Sequence, residues 1–227
     1  NEPYTASDEQ KCVDDLFLSD HPSDDNKLMI YYAEIIDAIR HEDNNTPVII
    51  ESSFWANWRA LHFLKFDRGP LSLHANDADL FKVSFHMYEP RLLTTHRFNH
   101  GRFTYPGIVP NYDGPYALSE EWNSSRVSSL FDDIELIITQ VLGLKSKHQV
   151  LVGELGISRN VSGASEYLRD LLSECCKRSW STCLYSFRES HWNLMDYELG
   201  VHQENENRKI NDNTLMEAIK ESIQRTT

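Results

Sequence analysis

The sequence lacks several features that would assign it to a protein class at once. No apolar run approaches the ~20 residues of a membrane-spanning helix, and the four cysteines have no metal-ligand spacing. Basic residues are few, because 22 Lys and Arg stand against 35 Asp and Glu, for a net charge of −13. An acidic surface repels phosphate backbones and anionic lipid, so neither nucleic acid nor a membrane is an expected partner. A neutral substrate fits this charge better, and the sequence predicts neither a metal nor another cofactor.

The chain has 227 residues, of which 40% are hydrophobic. A chain of this length buries roughly 70% of its unfolded surface, so it needs no disulfide or metal for a stable core. We interpret residues 1–227 as one domain portion, in which 201–227 form a polar stretch and a terminal helix. The cysteines are expected to be buried free thiols: Cys12, Cys175, Cys176 and Cys183.

Short β patterns alternate with longer helical patterns along the chain. This alternation predicts an α/β fold with a parallel sheet, whose functional residues lie at the carboxyl ends of the strands. The segment 89–117, rich in Pro, Gly, Tyr and His, is predicted to be a long functional loop. The predicted strands are 48–50, 83–88, 150–153 and 181–187, and the predicted helices are 28–41, 118–142, 163–178 and 213–225.

Polar side chains occur where the predicted strands end. Glu51 follows the first strand, His86 and Tyr88 close the second, and Glu154 follows the third. Carboxyl ends of parallel strands converge, so these residues are candidates for one cleft. The glycines on either side of Glu154 allow close backbone approach, which favours a functional carboxylate at a rigid strand tip. A strand-end glutamate paired with Lys or Arg is the alternative interpretation.

Several short motifs occur together in an order that resembles glycoside hydrolase family 5, the cellulase-like retaining enzymes. The resemblance extends from residue 1 to about residue 200, and the combination of motifs is far more specific than any one of them. The matching motifs are Asn1-Glu2-Pro3, His86-Met87-Tyr88-Glu89-Pro90, Gly153-Glu154-Leu155-Gly156 and Tyr185-Ser186-Phe187-Arg188-Glu189, followed by Trp192 and Met195-Asp196-Tyr197-Glu198-Leu199-Gly200.

The resemblance implies two catalytic carboxyl groups. Glu2 matches the general acid/base of the family and Glu154 matches its nucleophile. Retaining hydrolysis requires carboxyl groups about 5–5.5 Å apart, so we expect Glu2 and Glu154 to face each other at that distance. The negative charge of Glu154 is expected to raise the pKa of Glu2 and keep it protonated.

The resemblance also implies a set of substrate-binding residues. Asn1 is expected to bind the sugar 2-hydroxyl, and His86 and Tyr88 to line the cleft, with the Tyr88 hydroxyl near the nucleophile. Phe187 takes the place of the family's strand-eight tryptophan, and Trp192 is expected to offer a further face for stacking against sugar rings.

The implied fold is a (β/α)8 TIM-type barrel, represented by its second half only, from the end of strand 4 through strand 8. The family's first three strands would precede Asn1, so we expect this chain to need the N-terminal half-barrel or to self-associate, and to be inactive alone. The implied substrate is a β-linked glucan or related polysaccharide, and the resemblance favours an extracellular or periplasmic location.

Two alternatives remain open from the sequence. The first is a catalytically inactive glycan-binding or scaffold protein that keeps part of the barrel. The second is an unrelated α/β hydrolase domain that uses Glu154 and His86 as an acid–base pair, in which Glu2 would lie far from Glu154.

Overall fold

The computed structural model describes residues 22–64, 66, 71, 80–111, 117–142, 149–186, 193–200 and 213–224. Strands and helices alternate in these ranges, as predicted. The strands are β1 Val48–Glu51, β2 Phe81–Met87, β3 Gly107–Pro110, β4 Ser119–Trp122, β5 Val150–Leu155 and β6 Ser181–Leu184. The helices are α1 Pro22–Glu42, α2 Ser53–Ala56, α3 Arg91–Thr94, α4 His96–Asn99, α5 Ser124–Leu136, α6 Ala164–Arg178 and α7 Thr214–Gln224. Short 3-10 helices span Trp58–Phe63, Asn193–Met195 and Tyr197–Leu199, and a π-helical turn spans Ile137–Val141.

The main sheet contains the four predicted strands in the order β1, β2, β5, β6. Strands β1 and β2 are parallel, and their register places Glu51 opposite Ser84. Strands β3 and β4 form a separate antiparallel pair. In the described part of the chain, no helix has the length and apolar character needed to cross a membrane.

The chain divides into two compact units. The first unit comprises residues 1–86 and 133–153, and the second comprises 87–132 and 154–227. In the first unit, α1 contacts β1 and β2 through side chains: the Tyr32 hydroxyl donates to the Glu51 carbonyl, and the Arg40 guanidinium lies over the Phe81 ring. Fully buried members of the core of this unit are Ile36, Ile50, Phe81, Val83, Phe85 and Val152.

The core of the second unit forms around α6, whose inward residues have the predicted helical spacing. Helix α7 packs along α6, and the Phe131 ring stacks on Trp180 with centroids 5.7 Å apart. The Arg178 guanidinium lies against both rings and pairs with Asp132 and Glu174. This buried arginine is therefore compensated by two carboxylates, as a buried charge requires.

A left-handed turn follows β1. Phe54, Trp55 and Ala56 have φ values of 59°, 57° and 52°. Each of these side chains meets the steric penalty that L-residues carry in this region. Beyond the turn, Asn57 forms an isolated parallel bridge with His86, and Ser52 Oγ donates a hydrogen bond to the Asn57 carbonyl (2.7 Å).

Three sequence-based predictions differ from the structure. The predicted loop 89–117 contains α3, α4 and β3. The helix predicted over 118–142 begins only at Ser124, because 119–122 form β4 and the side chain of Asn123 accepts a hydrogen bond from the Arg126 amide (3.0 Å), as a helix cap does. The third concerns the cysteines: Cys175 is buried, but Cys176 is partly exposed and Cys183 is exposed, and Cys12 lies outside the described residues.

Candidate active site

A tyrosine–carboxylate pair lies at the end of β5 in the second unit. Glu154 is the penultimate residue of that strand, and Tyr88 is the first residue after β2. The Tyr88 hydroxyl donates a hydrogen bond of 2.8 Å to Glu154 Oε2. Burial raises the pKa of Tyr88 well above its ordinary value, and the charge and hydrogen bond of Glu154 raise it further. Tyr88 therefore keeps its proton and remains a donor to the carboxylate.

The backbone that carries Tyr88 is held in place by its neighbours. The Thr94 hydroxyl donates to the Tyr88 carbonyl (2.6 Å), and the Thr94 carbonyl accepts from the Ser158 amide (2.7 Å). One residue further along, the Glu89 carbonyl accepts a hydrogen bond from the Tyr167 hydroxyl. These contacts fix the direction in which the Tyr88 side chain leaves the chain.

Two further tyrosines belong to this region and were not predicted as site residues. Negative charge on the Tyr197 or Tyr185 phenol would raise the pKa of Tyr88, because both phenols interact electrostatically with the Tyr88 hydroxyl. The Tyr197 hydroxyl bonds both backbone groups of Ile157, accepting from the amide (2.9 Å) and donating to the carbonyl (3.1 Å). Both tyrosines stand in motifs that match the family, Tyr185 in the strand-eight pattern and Tyr197 in the segment 195–200, but the sequence assigned neither of them a role.

The second glycine of the Gly-Glu-x-Gly motif leaves room for these tyrosines. A Cβ atom on Gly156 would lie 2.6 Å from Tyr197 Oη and 2.7 Å from the Tyr185 carbonyl oxygen. The Tyr185 amide also donates to the Leu155 carbonyl (3.0 Å). The end of β5 and the residue after β6 are therefore packed closely around a position without a side chain.

The first unit contains a different polar cluster, formed by Glu51, Ser84 and His86. The Ser84 hydroxyl donates to Glu51 Oε1 (2.8 Å), and His86 Nε2 lies 3.5 Å from the same oxygen. Burial alone would raise the pKa of Glu51, but hydrogen bonds from His86 and Ser84 and the positive charge of His86 lower it below its usual value. His86 was a predicted site residue, whereas its pairing with Glu51 was not predicted.

The predicted residues outside the described ranges are Asn1, Glu2, Phe187 and Trp192. Their roles remain predictions, as does the distance between Glu2 and Glu154. Of the predicted residues that are described, Tyr88 and Glu154 are in direct contact, and His86 belongs to the Glu51 cluster. Within the described ranges, no group of three or more His, Cys, Asp or Glu side chains could hold a metal ion.

Comparison with solved structures gives the fold. One structure of endoglucanase Cel5A from Thermotoga maritima aligns with a TM-score of 0.60 at 18% identity, over 96% of this chain and 57% of that chain. A Cel5A complex with mannotriose aligns at 0.56 and 19% identity, over 87% and 54%. The cellulose synthase subunit Z of Clostridioides difficile aligns at 0.55 and 18% identity, over 86% and 56%.

These proteins are (β/α)8 barrels, and the present chain spans about half their length, so the predicted partial barrel is confirmed. No curated protein matches the sequence. A family model described as Cellulase (glycosyl hydrolase family 5) matches residues 1–190, which include every predicted site residue except Trp192. This match rejects the unrelated α/β hydrolase domain, because the motifs and the fold agree on one family. The chain belongs to the cellulase family, glycoside hydrolase family 5.

Proposed function

We propose that this chain carries the nucleophile half of a retaining β-glycosidase and acts on a β-linked glucan or related polysaccharide. The observation that carries the proposal is the hydrogen bond from Tyr88 to Glu154 at the end of β5, inside the motif that matches the family nucleophile. A hydrogen bond from a permanent donor favours the ionised form of a carboxylate. A nucleophilic glutamate must be ionised in the resting enzyme.

In the proposed reaction Glu154 attacks the anomeric carbon of the sugar. The carbon–oxygen bond to the leaving group breaks as the bond to the Glu154 oxygen forms, which gives a covalent glycosyl-enzyme. Tyr88 holds Oε2 of the carboxylate and so restricts its rotation. That restriction aligns the carboxylate for attack before the sugar arrives, which lowers the entropic part of the barrier.

Glu2 is proposed as the general acid/base. In the first step its proton passes to the leaving glycosidic oxygen. In the second step the Glu2 carboxylate takes a proton from water, and the resulting hydroxide equivalent attacks the anomeric carbon and releases Glu154. The protonated Glu2 and the free Glu154 carboxylate are restored, so the cycle needs no cofactor.

Substrate binding is proposed to involve Asn1, His86, Phe187 and Trp192. The aromatic members offer apolar faces that suit the C–H faces of sugar rings, and Asn1 and His86 offer hydrogen-bonding groups for hydroxyls. Tyr185, the residue directly after β6, is coupled to Tyr88 in the second unit and is a further aromatic candidate for the same role.

A neutral β-glucan is the preferred substrate class. The net charge of −13 disfavours anionic polysaccharides such as pectate. The structures to which this chain is similar include an endoglucanase and a complex with mannotriose. We therefore propose β-glucan as the substrate, with β-mannan as the comparison polymer in the assay.

The experiment that tests this function uses the chain combined with an N-terminal half-barrel. It measures the stereochemistry of the product and the position of a trapped glycosyl group. Proton NMR of the first product formed from a cello-oligosaccharide should show the β-anomer. Incubation with an activated 2-deoxy-2-fluoro-cellobioside should add one glycosyl mass to the peptide that contains Glu154. An α-anomer, or a label on another carboxylate, would reject the proposed mechanism.

Glycan binding without turnover is the second candidate function. Affinity electrophoresis in gels that contain β-glucan would show retarded migration in this case, while the reducing-sugar assay stays at background. Retardation together with turnover would favour the enzyme.

Self-association, or pairing with an N-terminal half-barrel, is proposed for the first unit. Strand β1 stands at one end of the strand order in the described sheet, and its Ile49 side chain is 51% exposed. An exposed apolar side chain on an edge strand favours pairing with another chain. Size-exclusion chromatography should show a dimer or larger species that Ile49→Lys reduces, whereas a monodisperse parent monomer would contradict the proposal.

A further inference from the structure

We propose that Glu51 is a positioning residue for His86 and fixes the orientation and protonation of its imidazole. The inference rests on the proposed function, in which His86 binds substrate. It concerns a carboxylate that no motif of the family match assigned, and every contact that supports it lies within the first unit.

Strand register brings the three side chains of this cluster together. Glu51 lies opposite Ser84 in the parallel pair of β1 and β2. Ser84 and His86 are two residues apart on β2, so their side chains point to the same face of the sheet. One carboxylate on β1 can therefore contact both side chains of β2. Their distances to Glu51 Oε1, 2.8 Å and 3.5 Å, agree with this arrangement.

The acceptor character of Glu51 determines which imidazole nitrogen carries a proton. An ionised carboxylate only accepts hydrogen bonds, so the nitrogen that faces it must be protonated. That nitrogen is Nε2. Neutral His86 is then the Nε2–H tautomer, and the nearby negative charge also favours the imidazolium form.

Burial strengthens the interaction between Glu51 and His86. The side chain of His86 is 5% exposed and that of Glu51 is 20% exposed. Water screens such a pair poorly, so the carboxylate governs the ring more strongly than it would at the surface. The Glu51 carbonyl also accepts from the Tyr32 hydroxyl (2.8 Å), which holds the end of β1 against α1.

Gly153 provides the space for the cluster. A Cβ atom at this position would lie 2.4 Å from Ser84 Oγ and 3.2 Å from Glu51 Oε1. Any larger residue would force Ser84 to rotate away from the carboxylate. The first glycine of Gly-Glu-x-Gly thus accommodates the residues that position His86.

The test measures the imidazole of His86 and the turnover of the same samples. The ¹⁵N chemical shifts of the ring, assigned by comparison with His86→Gln, should show a protonated Nε2 in the parent protein. Glu51→Gln should shift these ring signals and lower kcat/KM for β-glucan about tenfold. Loss of a partner that orients a functional histidine costs roughly tenfold to a hundredfold, and we expect the lower end of that range. Glu34→Gln, which neutralises an exposed carboxylate on α1 of the same unit, should change neither.

The outcomes separate this inference from the proposed function. An unprotonated Nε2 in the parent, or ring signals in Glu51→Gln that match the parent, would overturn the inference whatever the activity. If the parent chain combined with an N-terminal half-barrel does not hydrolyse glucan, the enzyme function is rejected, and the ring signals still decide the role of Glu51. If Glu51→Gln does not fold, the protonation of Nε2 in the parent decides alone.

Discussion

The two units hold their functional carboxylates in different ways. Glu154 in the second unit has a phenol as its hydrogen-bond donor, whereas Glu51 in the first unit has a hydroxyl and an imidazole. The imidazole can share or carry a positive charge, but the Tyr88 phenol stays neutral because its pKa is raised. The hydrogen bond from Tyr88 therefore reaches Glu154 from a neutral group, and this contrast with Glu51 is the basis of the different roles that we propose for the two carboxylates.

The largest expected effect comes from removal of the proposed nucleophile. In a complete, active form of the protein, Glu154→Ala should lower kcat for β-glucan by at least about a thousandfold, because the covalent route is lost. Added azide should restore part of the rate by attacking the anomeric carbon in place of the carboxylate. The matched control is Glu121→Ala, which removes an exposed carboxylate of the same unit and should leave the rate unchanged. Near-parental rates in Glu154→Ala would reject its role.

Tyr88→Phe tests the neutral donor. Loss of one hydrogen bond to a charged group costs about 1.5–3 kcal/mol, so kcat should fall roughly tenfold to a hundredfold while circular dichroism stays unchanged. Tyr105→Phe is a matched control, because the Tyr105 hydroxyl donates to a different carboxylate of the same unit, that of Asp170. Equal rate losses in both variants would show that Tyr88 acts only through stability.

The next effect is on the free energy of unfolding, and it compares the two motif glycines, Gly153 in the first unit and Gly156 in the second. Gly153→Ala should destabilise by about 1.5–3 kcal/mol, the value of the hydrogen bond that Ser84 must give up to avoid the new methyl group. In a Ser84→Ala background the same substitution should cost much less, since the clashing oxygen is gone. Urea unfolding of the four proteins measures this coupling.

Gly156→Ala is the control for this cycle. Its methyl group would meet the Tyr185 carbonyl and the Tyr197 hydroxyl, so Ser84→Ala should give it no relief. Additive effects of Gly153→Ala and Ser84→Ala would contradict the account of Gly153.

The smallest expected effect is on acid stability. Hydrogen bonds and nearby positive charge lower the pKa of Glu51 in the first unit and of Glu174 in the second, although burial opposes this in both. Stability from a carboxyl with a lowered pKa is fully present above its unfolded value of about 4.3, and it is lost as pH falls through the lower folded value. Tm measured from pH 6 to pH 3 should therefore fall less steeply in Glu51→Gln and in Glu174→Gln. Parallel curves for the parent and both variants would contradict this.

The sequence predicted the elements that have a strong period and missed those that depend on long-range contacts. Helix α6 and strand β5 were predicted to within two residues, because apolar spacing determines which face they bury. The antiparallel pair β3 and β4 was missed, since Ser119–Trp122 has three exposed residues and no apolar alternation. For β4, the backbone partner across the hairpin decides the structure.

In the candidate site, too, the sequence predicted the residues that short motifs mark and missed the contacts that depend on the fold. Glu154, His86 and Tyr88 were found because short motifs mark them. The contact of His86 with Glu51 required the register of β1 against β2, which two separate stretches of sequence do not reveal. Tyr197 stands in a matching motif, but its close approach to Gly156 is a packing property that the motif does not reveal.

The left-handed turn at residues 54–56 has a consequence for engineering thermostable variants. Glycine substitutions usually lower the melting temperature, because they loosen the unfolded chain. At Phe54 and Trp55 the native backbone costs an L-residue about 1–2 kcal/mol per position, a cost that glycine does not carry. A library directed at heat resistance would therefore include glycine and asparagine at these two positions. Alanine, the choice of a conventional helix-stabilising design, is an L-residue and would keep the backbone cost.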